Sequence, residues 1–160
     1  MLASFLESMK YVGHLLPVVV LRVFLGVLYF QWALEKWGSD FLIKPKAASD
    51  LAENLPRLQL SPWYQSLVEQ GMIQSWQAFG FVWMSLEFAI GLSYFFGYVV
   101  RPMSILAALW SMNFLFLSIG PQSDLHRVLM VVHLVLAGLG AGRCLGVDAY
   151  FYKRRRGVWW

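Results

Sequence analysis

Few side chains in this chain of 160 residues could do chemistry, and most of them sit inside apolar runs. Residues 83–102 read WMSLEFAIGLSYFFGYVVRP, with Glu87 the carboxylate in an otherwise greasy stretch. Arg22, Asn113 and His133 stand in comparable surroundings. Ionisable groups at membrane depth are costly to desolvate, so they face a partner or a bundle interior. At about 100° per residue, Glu87 shares a helix face with Trp83, Gly91, Tyr94 and Tyr98. Arg22 shares one with Gly26, Tyr29, Ala33 and Lys36. His126, Met130, His133, Ala137, Gly140 and Cys144 form a third line, and Asn113 stands among Leu106, Leu109, Trp110 and Leu117.

Counted along their helices, Arg22 lies roughly 10 Å, and Glu87 roughly 15 Å, from the same surface. An arginine side chain spans that difference, so a buried Arg22–Glu87 ion pair is expected. Two roles fit such a pair. It could fix helix register with little net stabilisation, because desolvation offsets the attraction. Alternatively, Arg22, Glu87 and His133 could be polar partners for a ring ligand held between Trp83, Tyr29 and Tyr94. His133 otherwise reads as a core histidine bonded to a neighbouring helix, and Asn113 as an interhelical hydrogen-bonding residue.

No metal site is expected. His126 and His133 are about 10 Å apart on one helix, and His14 belongs near the other end of the bundle. The H-E-x-x-H pattern, a Gly-rich phosphate loop and a serine–histidine–acid set are missing from the sequence. Cys144 is the only cysteine, so no internal disulfide and no dithiol pair can form.

The elements that must position these residues are membrane spans. The chain is 59% hydrophobic and only 14% charged, against about a quarter charged in soluble domains. About 20 mainly apolar residues cross a bilayer, and four segments qualify: 15–37, 73–99, 102–120 and 125–146. The expected fold is an all-α integral membrane protein, a four-helix antiparallel bundle forming one domain over residues 1–150. Gly97, Arg101 and Pro102 mark the turn between the second and third spans, because proline cannot continue the preceding ladder. The first span is too long for a cleaved signal peptide and is expected to be retained.

Lys10, Arg101, Arg143 and the tail Lys153, Arg154, Arg155, Arg156 fall on one side. By the positive-inside rule both termini are then cytoplasmic, in a multi-pass inner-membrane protein. Glu35, Lys36, His126 and Arg127 lie at the outer ends, and the 38–72 loop lies outside. The net charge of +4 equals the excess in the 151–160 tail. It therefore reads as a flank for anionic lipid or a partner and not as a nucleic-acid surface. In the loop, residues 46–55 have helical composition. Ser61-Pro62 then opens a short amphipathic helix with Trp63, Tyr64, Leu67 and Val68 on one side. Most of the aromatics, Trp32, Trp37 and Trp76 included, are assigned to interfacial belts.

Arg22-x-x-x-Gly26, Glu35-Lys36 near Phe41, Glu87-x-x-x-Gly91, Gly97-x-x-x-Arg101 and Asn113-Phe-Leu-Phe-Leu-Ser118 follow one another in an order that resembles the DoxX family. The likeness covers residues 18–146. It implies a four-helix membrane protein that serves as a small subunit or accessory of a redox or assembly complex. The family includes DoxD, the small subunit of thiosulfate:quinone oxidoreductase, which implies a quinone as ligand. Three readings follow. One is an accessory subunit working with other membrane subunits or as a homo-oligomer. The second is an oxidoreductase subunit that handles quinone directly. The third is a small oligomeric transporter or channel.

Overall fold

The computed structural model describes residues 16–154 of the chain. His14, Lys10, Arg155 and Arg156 lie outside them. Among the described residues the structure is helical, with no strand. The elements are α1 (Leu16–Gly38), α2 (Lys46–Asn54), α3 (Pro62–Leu67) running into a π-helical stretch (Val68–Gln74), α4 (Trp76–Phe96), α5 (Val100–Leu117), α6 (Pro121–Leu139) and α7 (Val147–Arg154). Helices α1, α4 and α5 are long and apolar enough to cross a membrane. Their outward faces carry Val20, Phe24, Phe81, Phe95, Leu109 and Phe116 exposed, which suits hydrocarbon and not water. Helix α6 is comparable in length, but its first turns hold Gln122, Asp124, His126 and Arg127.

The long helices pack as two antiparallel pairs, α1 on α4 and α5 on α6. Small residues set the first contact. A Cβ placed on Gly26 would lie 2.7 Å from the Phe95 backbone nitrogen, and one on Gly91 2.9 Å from that of Phe30. Backbone packing this close is the usual means of helix association where lipid removes the hydrophobic drive. Gly26→Val is therefore expected to force the pair apart at a cost of about 2 kcal/mol, read as a lowered melting temperature in detergent. Between the pairs the contact is made by side chains, with Leu25, Tyr29, Ile90, Tyr94, Leu129 and Leu136 buried together.

The turn between α4 and α5 falls earlier than expected. Gly97 caps α4 with φ +67°, Val99 follows at φ 53°, and α5 begins at Val100. Arg101 and Pro102 thus belong to the first helical turn, where backbone N–H groups have no intrahelical partner and proline is tolerated. Helix α6 also starts earlier, at Pro121, and stops at Gly140 with φ 62°. The fourth apolar segment consequently ends seven residues before its expected limit.

In the loop, α2 ends at Asn54 and α3 starts at Pro62, in accord with the sequence. The face of α3 divides, however. Tyr64 and Val68 pack with Leu55, Met72 and Leu117, whereas Trp63 is 70% exposed and Leu67 also faces outward.

Candidate functional site

The expected Arg22–Glu87 pair does not form. Glu87 instead accepts from Lys36 Nζ at 2.8 and 3.0 Å and from Trp83 Nε1 at 2.7 Å. Side-chain direction explains the outcome. Cα–Cβ bonds tilt toward the N-terminus of their helix. On antiparallel α1 and α4, Arg22 leans toward the α4–α5 turn, while Glu87 leans the opposite way, toward the 39–75 end. Lys36, in the last turn of α1, leans back toward Glu87. Counting residues placed Arg22 and Glu87 at compatible depths, but the side chains diverge.

Arg22 is buried in a second polar cluster. Its guanidinium donates to the carbonyls of Ala141 (2.7 Å), Cys144 (3.2 Å) and Leu145 (3.2 Å), which follow the end of α6. Next to it, Asp148 accepts from the backbone N–H groups of Val99 (2.7 Å) and Val100 (3.0 Å), and its own N–H donates to Gly97 O (2.9 Å). A carboxylate from α7 thus caps α5, whose N-terminal donors would otherwise be orphaned. This end of the molecule is closed by backbone-directed bonds. Gly97 leaves no room for a side chain, since a Cβ there would lie 2.6 Å from Arg22 Nη1.

The other end is open. A cavity of about 400 Å³ lies between the helix pairs under the α2 loop. Its aromatic wall is Trp32, Trp76, Phe79, Trp83, Trp110 and Phe114, with the Lys36–Glu87 pair beside it. Trp32 and Trp76, assigned from sequence to interfacial belts, are therefore cavity residues, while Trp37 is exposed. Lys36 Nζ lies 5.0 Å from the Trp83 ring centre and 5.7 Å from that of Phe41. The ammonium has three donors, and two bonds to Glu87 leave one to offer. Across the cavity, His126 stacks on Phe114 at 5.3 Å, and its Nδ1 is buried with no hydrogen-bond partner. Tyr29 lines the cavity as well.

Below the cavity, His133 joins three helices. Its Nε2 is 2.8 Å from Tyr29 Oη on α1, and its Nδ1 is 2.8 Å from Tyr94 Oη on α4. All three side chains are buried.

The remaining sequence candidates are dispersed. Asn113 is half-buried with an unpartnered Oδ1, but the inward face of α5 is Ser104, Ala107, Ala108 and Ser111. Leu106 and Leu109, expected beside Asn113, face outward. Arg127 is exposed and pairs with Asp124, and Glu35 is exposed. Tyr98 lies beyond the end of α4 and is exposed. Arg101 and Arg143 stand near the closed end, where Arg143 lies 4.0 Å from the Tyr152 ring centre. Arg154 lies over Tyr150. Among the described residues no group of histidine, cysteine and acidic side chains could hold a metal.

Sequence reasoning did not find Asp148, Trp110, Phe114 or the pairing role of Lys36. For Lys36 the signal existed: it lies fourteen residues after Arg22 on the same helical face.

No family model matches the chain, and no curated protein or solved structure matches it.

Proposed function

We propose that this chain is a DoxX-like membrane subunit that holds a quinone-type ring ligand in the aromatic cavity, as an accessory of a quinone-linked redox complex. In this reading α6 is the fourth span, both termini are cytoplasmic, the membrane is the inner one, and the cavity opens on the outer side. The observation that carries it is the cavity itself. Its volume is in the range of small-molecule sites, its walls are aromatic, and a few polar groups converge on it. The spare Lys36 donor and His126, whose Nδ1 finds no partner in the protein, suit the carbonyl oxygens of such a ligand. When bound, a quinone would supply two-electron, two-proton redox chemistry. The residues of this chain bind and orient it, exclude water through their tryptophan walls, and offer hydrogen bonds at Lys36 and Tyr29.

Protein purified in mild detergent is expected to retain extractable quinone. His126→Leu is expected to weaken binding about tenfold, equivalent to about 1.4 kcal/mol, with the melting temperature unchanged. Binding is measured by quenching of the cavity tryptophans on titration with decylubiquinone. Failure of the unmodified protein either to retain or to bind quinone would overturn the reading.

A further inference from the structure

The His133 cluster is bonded at both ring nitrogens, which constrains it more than an ordinary core histidine. A neutral imidazole has one N–H and one acceptor nitrogen. One tyrosine must therefore donate to the ring, while the other accepts from it and keeps its own proton for something else. The surroundings offer both arrangements. Ser111 stands beside Tyr29, and Ser104 beside Tyr94; both serines are buried, and as they stand neither hydroxyl has a hydrogen-bond partner. In one state Tyr29 donates to Nε2, Nδ1–H donates to Tyr94, and the Tyr94 hydroxyl turns to Ser104. In the other, Tyr94 donates to Nδ1, Nε2–H donates to Tyr29, and the Tyr29 hydroxyl turns to Ser111 or the cavity it lines.

No charged side chain is hydrogen-bonded to His133, Tyr29 or Tyr94 among the described contacts, so the two states differ by orientation and not by charge. What tips the balance is whatever meets Tyr29 in the cavity. A ligand oxygen that accepts favours the state pointing toward the cavity. A ligand hydroxyl that donates favours the reverse.

We propose that Tyr94, His133 and Tyr29 form a proton relay whose cavity end serves the bound ligand, with the tautomer of His133 recording whether that ligand accepts or donates. The proposal rests on the ligand reading above. For a ligand oxygen made basic by electrons from a redox-protein partner, the transfer balances. The Tyr29 hydroxyl proton passes to that oxygen, and the Nε2 proton of His133 passes to Tyr29. The Tyr94 hydroxyl proton moves to Nδ1, and a proton taken from water replaces it on Tyr94. Each residue ends neutral, and the histidine proton has moved from Nε2 to Nδ1. His133 and Tyr94 are positioning residues, whereas Tyr29 meets the ligand.

The test uses the whole protein, ¹⁵N-labelled at histidine, in lipid nanodiscs with decylubiquinone or its quinol. Protonated and bare ring nitrogens are separated by ¹⁵N NMR, and the His133 signals are assigned with His14→Gln and His126→Gln variants. With the quinone the Nε2–H form is expected to dominate, and with the quinol the Nδ1–H form is expected to rise at least threefold. Tyr29→Phe keeps the ring but removes a hydrogen bond to the ligand, so both ligands are expected to bind about tenfold more weakly, while the tautomer ratio, read at saturating ligand, stops responding. An unchanged ratio with both ligands demonstrably bound overturns the relay and leaves the cavity reading intact. So does a full response in Tyr29→Phe. Tryptophan quenching by neither ligand overturns the cavity reading, and the relay with it.

Discussion

Replacing Lys36 with methionine is expected to destabilise the protein by about 3 kcal/mol, because it strands the Glu87 carboxylate among the tryptophans. Glu87 is 5% exposed, and two of its three hydrogen bonds come from Lys36. The remaining bond from Trp83 cannot replace an ammonium. The reverse substitution is milder. In Glu87→Gln the Lys36 side chain, 18% exposed, can swing its head toward the interface and keep its stem on the aromatic wall. A loss of about 1 kcal/mol is expected there. Removing both charges together, in Lys36→Met with Glu87→Gln, should recover most of the stability. A buried pair replaced by neutral groups of similar volume is often close to neutral. Reversible unfolding in mixed micelles measures all three proteins. Lys36→Met losing no more than Glu87→Gln would show that the pair is not what neutralises Glu87. Arg22 supplies the control: Arg22→Leu and Glu87→Gln should combine additively within about 0.5 kcal/mol, as distant sites do.

The same pair shows how far the sequence could be read. Helical periodicity places Arg22, Gly26, Tyr29, Ala33 and Lys36 on one face, and all five turn inward, Lys36 less completely than the others. It also placed Glu87, Gly91 and Tyr94 inward on α4. Which inward groups meet is a different question, since it depends on the tilt of each Cα–Cβ bond and on helix direction. Depth counted at Cα misses both, which is why Arg22 was matched to the wrong partner. On α5 the reading failed differently. Its inward residues are largely serines and alanines, which carry little hydropathy signal, and the face around Asn113 is mixed: Leu106 and Leu109 point outward, while Trp110 lines the cavity and Leu117 is buried. The cavity could be read only in part: Trp83, Tyr29 and Glu87, expected around a ligand, line it, whereas Arg22, Tyr94 and His133 do not. It exists because large aromatic side chains keep the two helix pairs apart and the α2 loop roofs the gap, a consequence of packing between segments distant in sequence. Asp148 was equally hidden, since its role depends on α7 folding back against the α4–α5 turn.

Arg22→Leu is expected to be the most damaging single substitution at the closed end, with a loss of about 3–4 kcal/mol. Leucine is nearly as apolar as the helices around it, so hydropathy alone would predict improvement. The loss arises because the carbonyls of Ala141, Cys144 and Leu145 follow the end of α6 and have the guanidinium as partner. Each buried carbonyl left bare bears its own desolvation cost. Arg22→Lys should recover less than half of the loss. One compact ammonium cannot reproduce a planar fork that reaches three oxygens from two nitrogens. Asp148→Asn should behave as a weaker partner of Arg22→Leu. The amide keeps one acceptor oxygen for Val99 or Val100 and turns an N–H₂ toward the other backbone N–H. The two substitutions should be non-additive, since Asp148 and Arg22 brace the same turn, where Gly97 O accepts from Asp148 N. Quinone retention separates this end from the cavity. Asp148→Asn should lose stability yet bind decylubiquinone as the unmodified protein does, because no residue of the closed-end cluster lines the cavity. A parallel fall in binding would mean that the two ends move together, and that the Arg22 cluster sets the spacing of the helix pairs around the ligand.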